Sequence, residues 1–271
     1  MDGKIPILMY HSVSTGKSGG AHPYYETSTS PTLFRRHMEV LHCLGYSVVR
    51  LKDLDEVFSR RGETIRKLAV ITFDDGYADF YENAFPILQA FKYSATVFVP
   101  TAFIGAPGAG IEGKRHMSWS QVREAHSAGI DFGSHTVNHP QLAELPAQDI
   151  LHQLQESKKT IEDNLGKAVD AFAYPFAFPE AKRDMVAVLR RLLIESGYRT
   201  GVCTSIGRVS QEDDRLFLKR LPVNTFDDEA FFKAKLEGAY DWLYGSQMLV
   251  KRLKNLVQMH RRVNSGKVVP A

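Results

Sequence analysis

Short apolar runs alternate along the chain with segments of helical periodicity. The runs are rich in Val, Ile, Phe and Tyr and are continuous rather than alternating, as expected of strands covered on both faces. The order of strand and helix patterns predicts a mainly parallel sheet. Eight runs predict strands, at residues 5–10, 46–51, 67–73, 95–100, 129–134, 171–176, 198–204 and 216–223.

Three of the intervening segments carry helix boundaries. Ser30 followed by Pro31 predicts a helix start, and Gly45 predicts its end. Two further helices are predicted at 118–129 and 146–166, and both stop at a glycine. Seven or eight strands in 271 residues favour a closed (β/α) barrel over an open doubly wound sheet, which the spacing alone does not exclude.

Composition adds little to this picture. The hydrophobic content of 44% is enough for a full core, and the net charge of +3 gives no argument for nucleic-acid binding. Cys43 and Cys203 are too few for a disulfide framework and lie among apolar residues, so both are expected to be buried free thiols.

No targeting or membrane segment is evident in the sequence. The first apolar run ends at His11, too early for a signal peptide, and no run approaches the roughly 18 apolar residues of a membrane span. The chain as given is therefore expected to be cytoplasmic, although a chain from which a signal peptide had been removed would look the same.

Polar groups able to do chemistry follow three of the predicted strands. His11 follows the first, Asp74 and Asp75 the third, and His135 and His139 the fifth. Strand ends of a parallel barrel share one rim, so these groups should converge. Histidines four residues apart on a helix or tight turn can hold one metal ion, and a carboxylate would complete a three-ligand catalytic site. One aspartate would bind the cation, whose charge would keep its neighbour ionised as a base.

Each feature taken singly has a simpler interpretation. Asp-Asp-Gly is often a turn with a solvated acidic pair, and H-x-x-x-H is often one packed and one exposed histidine. A strand ending in Asp-Asp-Gly can also hold Mg²⁺ for phosphoryl chemistry, which would not need H-x-x-x-H. His11 alone would usually be a rim histidine with its hydrogen bonds satisfied. The coincidence of all three at strand ends favours the metal site.

The motifs TFDDG (72–76) and SHTVNH (134–139) resemble the polysaccharide deacetylase family, carbohydrate esterase family 4. The stretches PILMYHSV, MSWSQV and FAYPFA fit the same family, so the resemblance covers nearly the whole chain. It implies a distorted (β/α) barrel of seven or eight strands. It also implies metal-dependent hydrolysis of an N-acetyl group from an N-acetylhexosamine unit.

The resemblance assigns roles residue by residue. The first aspartate of TFDDG is the general base, which is Asp74, and the second is a metal ligand, which is Asp75. His135 and His139 match the two histidine ligands. The cofactor implied is one divalent ion; Zn²⁺ suits these ligands best, and Co²⁺, Ni²⁺ or Fe²⁺ would also be accepted.

Two departures from the family pattern matter. The third motif reads AYPFA (173–177) and lacks its base-orienting arginine, although the backbone N–H of Phe176 can still donate to an oxyanion. Arg220 is a candidate replacement, or could equally pair with a surface carboxylate. The late histidine motif is also absent, since His260 lies in a helical pattern. The early LMYH resembles instead the poly-N-acetylglucosamine deacetylase subgroup, whose barrel looks circularly permuted, and there the acid role falls on His11.

The substrate is left open. Among the aromatic residues, Trp119 and Tyr174 are the expected sugar-stacking surfaces, whereas Tyr10, Tyr77 and Phe176 are expected mainly in the core. Poly-N-acetylglucosamine, a chitin oligomer, peptidoglycan and acetylated xylan all remain candidates. An O-acetyl glycan esterase and a catalytically weak glycan-binding relic are the alternative functions.

The C-terminus reads as a separate element. We predict a catalytic barrel over 1–240 and a basic extension over 241–271, with six Lys or Arg residues against one acid. The extension is predicted to pack on the barrel with a solvated cationic face, or to make weak contact with an anionic membrane or an acidic partner. The oligomeric state is open. The residues near one helical face are Leu249, Leu253, Leu256, Val257 and His260.

Overall fold

The fold is taken from a computed structural model, which describes residues 3–15, 26–59, 67–108, 110–243 and 245. Seven parallel strands form a closed ring, so the predicted (β/α) barrel is confirmed. The strands are β1 (Ile7–Tyr10), β5 (Leu68–Phe73), β6 (Thr96–Val99), β7 (Asp131–Ser134), β8 (Ala171–Ala173), β9 (Thr200–Ile206) and β10 (Leu218–Pro222). The order around the ring is β1, β10, β9, β8, β7, β6 and β5, and β5 pairs with β1 to close it.

The predicted strand at 46–51 is wrong as a barrel strand. Its strand part, β4 (Ser47–Val48), is two residues long and pairs with the first two residues of β5, outside the closed ring. The rest of the run bends into a short 3₁₀ turn (Leu51–Asp53) and helix α2 (Leu54–Ser59). Leu51 lies in the 3₁₀ turn and Leu54 begins α2, and both side chains are buried against the barrel. The apolar pattern therefore reflects helical packing rather than a strand.

The segment after β1 has more order than a loop. β2 (Ser12–Val13) and β3 (Ser28–Thr29) form a two-stranded parallel sheet beside the barrel rim. Residues 16–25, which connect them, lie outside the described residues. This small sheet immediately follows His11, and its position bears on how that histidine is held.

The three predicted helices are confirmed as α1 (Pro31–Cys43), α4 (Trp119–Ser127) and α5 (Ala147–Leu165). Their starts agree with the sequence signals, because the Ser30 hydroxyl caps α1 and Ser118 forms a capping box with Gln121. α5 ends at the left-handed Gly166. The remaining helices are α3 (Phe85–Phe91), preceded by one π-helical turn (Phe80–Ala84), α6 (Arg183–Glu195) and α7 (Glu229–Leu236).

The barrel interior is a packed core rather than a channel. Alternate strand positions contribute the buried residues Ile7, Val70, Ala173 and Val202 around the ring of Phe98. Gly133 on β7 makes room for that ring, since a Cβ there would lie 2.6 Å from Phe98 Cδ1. Because side chains fill the interior, chemistry is confined to the rim, where the loops after the strands meet.

The two cysteines differ. Cys203 is buried, as predicted, but the prediction for Cys43 is wrong, because Cys43 is exposed. It stands two residues after Leu41, the last buried residue of α1, and a two-residue step turns a helix by more than half a turn to its solvent side.

Across the described part of the chain, no helix combines the length and apolarity needed to cross a membrane. The predicted amphipathic face of the C-terminal extension falls on residues 246–271, outside the described residues. The division at residue 240 and the packing or membrane role of the extension therefore stay predictions.

Candidate active site

The predicted strand-end residues meet at one point of the rim. His135 and His139 direct their Nε2 atoms toward Asp75 Oδ1, at 3.5 and 3.4 Å. The two Nε2 atoms are 3.1 Å apart. The histidines are thus not turned apart, as they would be in a rim that had lost its metal site.

These three atoms fit a divalent metal ion. A tetrahedral centre with bond lengths of about 2.0–2.2 Å places two ligand atoms about 3.3–3.6 Å apart, close to the separations observed. Asp75 Oδ1 is buried and has no hydrogen-bond partner among the residues described. An orphaned buried carboxylate oxygen facing two imidazole nitrogens is expected where a cation binds.

The backbone sets the ligand tautomer at His135. Its Nδ1 lies 2.8 Å from the carbonyl oxygen of Ala173, which can only accept, so Nδ1 carries the proton. The lone pair is then on Nε2, the atom that faces Asp75 and His139. Such a hydrogen bond to the far ring nitrogen is the usual support of a metal-binding histidine.

The turn after β5 explains the glycine of TFDDG. Asp75 and Gly76 both adopt left-handed backbone conformations, with φ of 68° and 62°. A Cβ at Gly76 would lie 2.8 Å from Val99 Cγ1 on the neighbouring strand, so a side chain does not fit there. The strained turn points the Asp75 carboxylate at the histidines while Asp74 stays in line with its strand.

The histidine motif forms a tight turn rather than a helix. Thr136 and His139 are both left-handed, with φ of 72° and 56°. The His139 N–H donates to Thr136 Oγ1 at 3.0 Å, and the Val137 N–H donates to Gln153 Oε1 on α5 at 2.9 Å. The spacing of four therefore brings both rings together through a pinned turn.

Arg220 supplies the guanidinium that the third motif lacks. Its Nη1 and Nη2 donate to the two carboxylate oxygens of Asp74, each at 2.7 Å. Its Nε donates to the Cys203 carbonyl oxygen at 3.1 Å, and Nη1 also reaches Thr72 Oγ1 at 3.2 Å. Arg220 is fully buried, so of the two alternatives left by the sequence, the structure shows the contact with Asp74.

The pKa values of the two adjacent aspartates shift in opposite directions. Burial alone would raise the pKa of the Asp74 carboxyl, but the Arg220 guanidinium holds it well below its ordinary value. Burial, with a further contribution from the Asp74 charge, raises the pKa of Asp75 to about 7. Arg220 therefore favours the ionised form of Asp74 in addition to any effect of a metal ion, and Asp75 is the carboxylate whose ionised form needs a cation.

His11 completes the rim. Its Nε2 lies 3.9 Å from Asp74 Oδ2, and its side chain is 21% exposed, open to a substrate. Burial lowers the pKa of His11, and the neighbouring Asp74 carboxylate partly opposes that shift. His11 therefore lies beside Asp74, the carboxylate that Arg220 holds.

Tyr10 and Tyr77 are buried as expected, but two other aromatic residues differ from expectation. Phe176 is 52% exposed, and its ring centre lies 4.6 Å from that of His139. Tyr174 is buried and packs against Phe172 and Phe178, so the prediction that it contacts sugar is wrong for this structure. It continues the β8 alternation and shares the outward face with Phe172. Trp119 is half-buried beside the core at the start of α4.

One residue of the rim had no place among the sequence candidates. Asp79 lies four residues after Asp75, and its carboxylate accepts hydrogen bonds from Ser12 and Val13 on the segment that follows His11. The sequence signal was its place within TFDDGYAD, but without the barrel nothing connects it to residues near the N-terminus.

The chain is similar in sequence to proteins of one known family. The family model described as polysaccharide deacetylase matches residues 61–196. The protein YxkH of Bacillus subtilis (strain 168) is 30% identical over 234 residues, which cover 86% of this chain and 76% of the relative. The chain belongs to the polysaccharide deacetylase family. The family predicted from the motifs is therefore confirmed.

One further relative and two solved structures are similar to this chain. The poly-beta-1,6-N-acetyl-D-glucosamine N-deacetylase of Staphylococcus aureus (strain MSSA476) is 24% identical over 213 residues, covering 75% of this chain and 69% of that protein. The Streptococcus pyogenes deacetylase PplD, solved in complex with acetate, superposes with a TM-score of 0.74 at 25% identity, over 86% of this chain and 98% of that one. IcaB from Ammonifex degensii shares the fold, with a TM-score of 0.71 at 22% identity over 88% of this chain and 98% of that one.

The site predicts a pH-dependent metal affinity. We expect the affinity of the metal-free protein for Zn²⁺ to fall about tenfold for each pH unit below about 7, and to level off above it. The reason is that the metal must displace a proton from Asp75, whose pKa is raised to about 7. His135 and His139 do not compete, because burial lowers their pKa values to about 4 and about 3.

Isothermal titration calorimetry between about pH 5.5 and about pH 8, in buffers of different protonation enthalpy, measures both the slope and the protons released. His135→Ala is the control and should remove specific binding at every pH. An affinity that stays constant over this range would contradict the raised pKa of Asp75.

Proposed function

We propose that this chain hydrolyses an N-acetyl group of an N-acetylhexosamine-containing glycan and releases acetate, with one divalent metal ion held by Asp75, His135 and His139. The observation that carries the proposal is that a metal-ligand set, an ionised carboxylate locked by Arg220 and a partly exposed histidine share one rim. Membership of the polysaccharide deacetylase family supports a hydrolase that acts on a glycan.

The roles follow from the positions of the groups. A divalent ion at this site supplies Lewis acidity toward the acetyl carbonyl and toward water. Asp74, kept ionised by Arg220, accepts a proton from the water that attacks the carbonyl carbon. The backbone N–H of Phe176 is the proposed donor to the oxyanion, and the Phe176 carbonyl is fixed by the Thr204 hydroxyl at 3.1 Å.

His11 then gives a proton to the leaving nitrogen as the C–N bond breaks. Burial favours the neutral imidazole, so His11 needs a proton source at the moment of reaction. The proton that Asp74 takes from water is the proposed source, and Nε2, at 3.9 Å from Asp74 Oδ2, must move closer or use one bridging water to receive it. One water is consumed, and the products are a free sugar amine and acetate.

The exposed ring of Phe176 is the proposed surface for the sugar. It stands beside His139 at the open side of the site, and an aromatic face suits the C–H face of a pyranose. Similarity to the poly-beta-1,6-N-acetyl-D-glucosamine N-deacetylase of Staphylococcus aureus supports a poly-N-acetylglucosamine chain among the candidate substrates. The half-buried Trp119 stays a proposed contact for a more distant sugar unit.

Acetate release from a panel of N-acetylated and O-acetylated glycans tests the proposal. We expect release from N-acetylglucosamine oligomers, loss of activity with a chelator, and recovery with Zn²⁺ or Co²⁺. Release from O-acetylated xylan alone would favour the esterase. Glycan binding without release from any member of the panel would favour the relic, and full activity in metal-depleted protein would overturn the metal role.

The acid role of His11 has its own test. His11→Ala should lower acetate release from an N-acetyl substrate by about 10²–10⁴-fold, because an amine leaves poorly without a proton. Metal content should be unchanged, since His11 is no part of the ligand set. His260→Ala, at a position outside the described residues, is the matched control and should have little effect. Equal tolerance of both substitutions would mean that the proton comes from elsewhere.

A further inference from the structure

We propose that Asp79 is a positioning residue, which holds the segment after His11 against the rim so that His11 can protonate the leaving amine. This inference rests on the proposed function, and it assigns Asp79 a part in that reaction without contact to substrate or metal.

His11 stands where the chain leaves the barrel. The residue before it is tied to the ring, because the Asp74 N–H donates to the Tyr10 carbonyl oxygen at 2.9 Å. Beyond Tyr10 the chain leaves the hydrogen-bonded ring and enters β2, which is two residues long and pairs with a strand of the same length. The Val13 side chain of β2 is buried in the core, but no strand of the ring pairs with the described backbone of this segment. A two-stranded sheet of this size gives weak support on its own.

Asp79 adds a direct polar attachment of this segment to the loop after Asp75. Its Oδ2 accepts a hydrogen bond from the Ser12 hydroxyl at 2.5 Å, and its Oδ1 accepts one from the Val13 N–H at 3.1 Å. Asn83, one turn further along, donates from its side-chain amide to the Val13 carbonyl oxygen at 2.8 Å. The segment after His11 is therefore tied by side chains of the segment that follows Asp75.

The residues on both sides of His11 are held by the same segment, the loop that follows β5. Tyr10 is held by the Asp74 peptide, and Ser12 and Val13 are held by Asp79, so the general base and the anchoring carboxylate lie on a single loop. The loop that carries Asp74 thus also holds the residues on both sides of His11, and so fixes the distance between His11 and Asp74. A shift of about 1 Å in a positioned proton donor is enough to lower a rate substantially.

The contact uses both oxygens of the Asp79 carboxylate. A carboxylate accepts from a hydroxyl and a backbone N–H together. Burial raises the pKa of the Asp79 carboxyl, and these same two bonds oppose that shift in part. An asparagine can keep both contacts, since its oxygen accepts from Val13 and the Ser12 hydroxyl can turn to accept from its amide. An alanine keeps neither, so the pair Asp79→Asn and Asp79→Ala separates charge from attachment.

The test compares two leaving groups. An N-acetylglucosamine oligomer needs a proton on its leaving amine, whereas an activated aryl acetate releases a phenolate without one. We expect Asp79→Ala to lower amide turnover about tenfold or more while aryl acetate turnover stays within about threefold. Asp79→Asn should stay within a few-fold of wild type on both substrates. Glu82→Ala, which removes an exposed carboxylate from the same turn, is the matched control and should change neither.

A second measurement does not depend on activity. Backbone hydrogen exchange of the segment containing Val13 should become faster in Asp79→Ala, with exchange around His135 unchanged. If Asp79→Ala does not fold, Ser12→Ala removes one of the two bonds and should shift the amide-to-ester ratio in the same direction by a smaller factor. Combining Asp79→Ala with His11→Ala should cost no more amide turnover than His11→Ala alone.

The outcomes separate the two proposals. Equal loss of amide and ester turnover in Asp79→Ala, unchanged exchange at Val13, or additivity with His11→Ala would each overturn the positioning role. Absence of acetate release from every N-acetyl substrate by the wild-type protein would overturn the proposed function instead. In that case the exchange measurement still decides whether Asp79 anchors the His11 segment.

Discussion

Asp74→Asn should lower turnover of an N-acetylated glycan by about 10²–10⁴-fold while the protein keeps its metal ion. The carboxylate removed is the proposed proton acceptor, and the ligand Asp75 beside it is untouched. Asparagine has nearly the same shape and can still accept one hydrogen bond from Arg220 through its amide oxygen. The predicted loss is therefore chemical rather than geometric, and it should appear in kcat more than in KM.

Metal content by mass spectrometry and steady-state kinetics on the same preparation check this result. Asp75→Asn is the matched control at the adjacent position, and it should lose the metal as well as the activity. Turnover of Asp74→Asn within a few-fold of wild type would remove Asp74 from the role of base. Loss of metal in Asp74→Asn would mean that the two aspartates had been assigned the wrong way round.

Much of the barrel follows from local sequence signals. Continuous apolar runs predict the strands that the ring contains, because a strand covered on both faces has no polar side to show. The run at 46–51 misled for a physical reason: Leu51 and Leu54 are buried from helical turns, and a short apolar run looks the same in either structure. The small sheet formed by β2 and β3 was not predictable, because two-residue strands leave no periodicity.

Some residues of the site could be predicted from local sequence signals and others could not. His11, Asp74, Asp75, His135 and His139 were predictable because each follows a strand directly and parallel strands end on one rim. The partner of Arg220 was not, since it depends on how the barrel closes. β10 and β5 both pair with β1, and this places the arginine within reach of an aspartate 146 residues away. A lone arginine in an apolar strand does signal a buried acidic partner, but the sequence does not say which one.

Tyr174 shows the opposite error. Its place near the end of β8, in a family motif, made it a candidate for the sugar site, but the face that a strand residue presents is set by the alternation. Phe172 and Tyr174 point outward into the cluster between the barrel and its helices, while Ala173 points inward. The chain then turns at the left-handed Phe176, whose φ of 58° brings its ring to the open side.

Arg220→Met should destabilise the protein by about 3–5 kcal/mol at neutral pH, because it leaves the buried Asp74 carboxylate without its counter-ion. Arg220 is fully buried and Asp74 is 2% exposed, so water cannot replace the two lost hydrogen bonds without rearrangement. Activity should fall as well, since the base is no longer held in place. Urea unfolding at constant metal concentration measures the stability, and the double variant Asp74→Asn/Arg220→Met should recover most of it.

The stability difference between the wild type and Arg220→Met should depend on pH, and its direction follows from the pKa of Asp74. In the wild type, Arg220 keeps the pKa of Asp74 below its unfolded value, so the ion pair's contribution is present above the unfolded pKa and is lost as pH falls through the folded pKa. In Arg220→Met, burial acts unopposed and raises the pKa of Asp74, so the folded variant takes up a proton as pH falls. The stability difference between the two proteins should therefore be largest at about pH 7–8 and shrink toward about pH 5. The free energy of unfolding of each protein should be compared with that of the same protein carrying Asp74→Asn, at the same pH. This difference removes the contribution that Asp75 makes by titrating. A difference that grows on acidification would show that Arg220 acts on stability through some group other than Asp74.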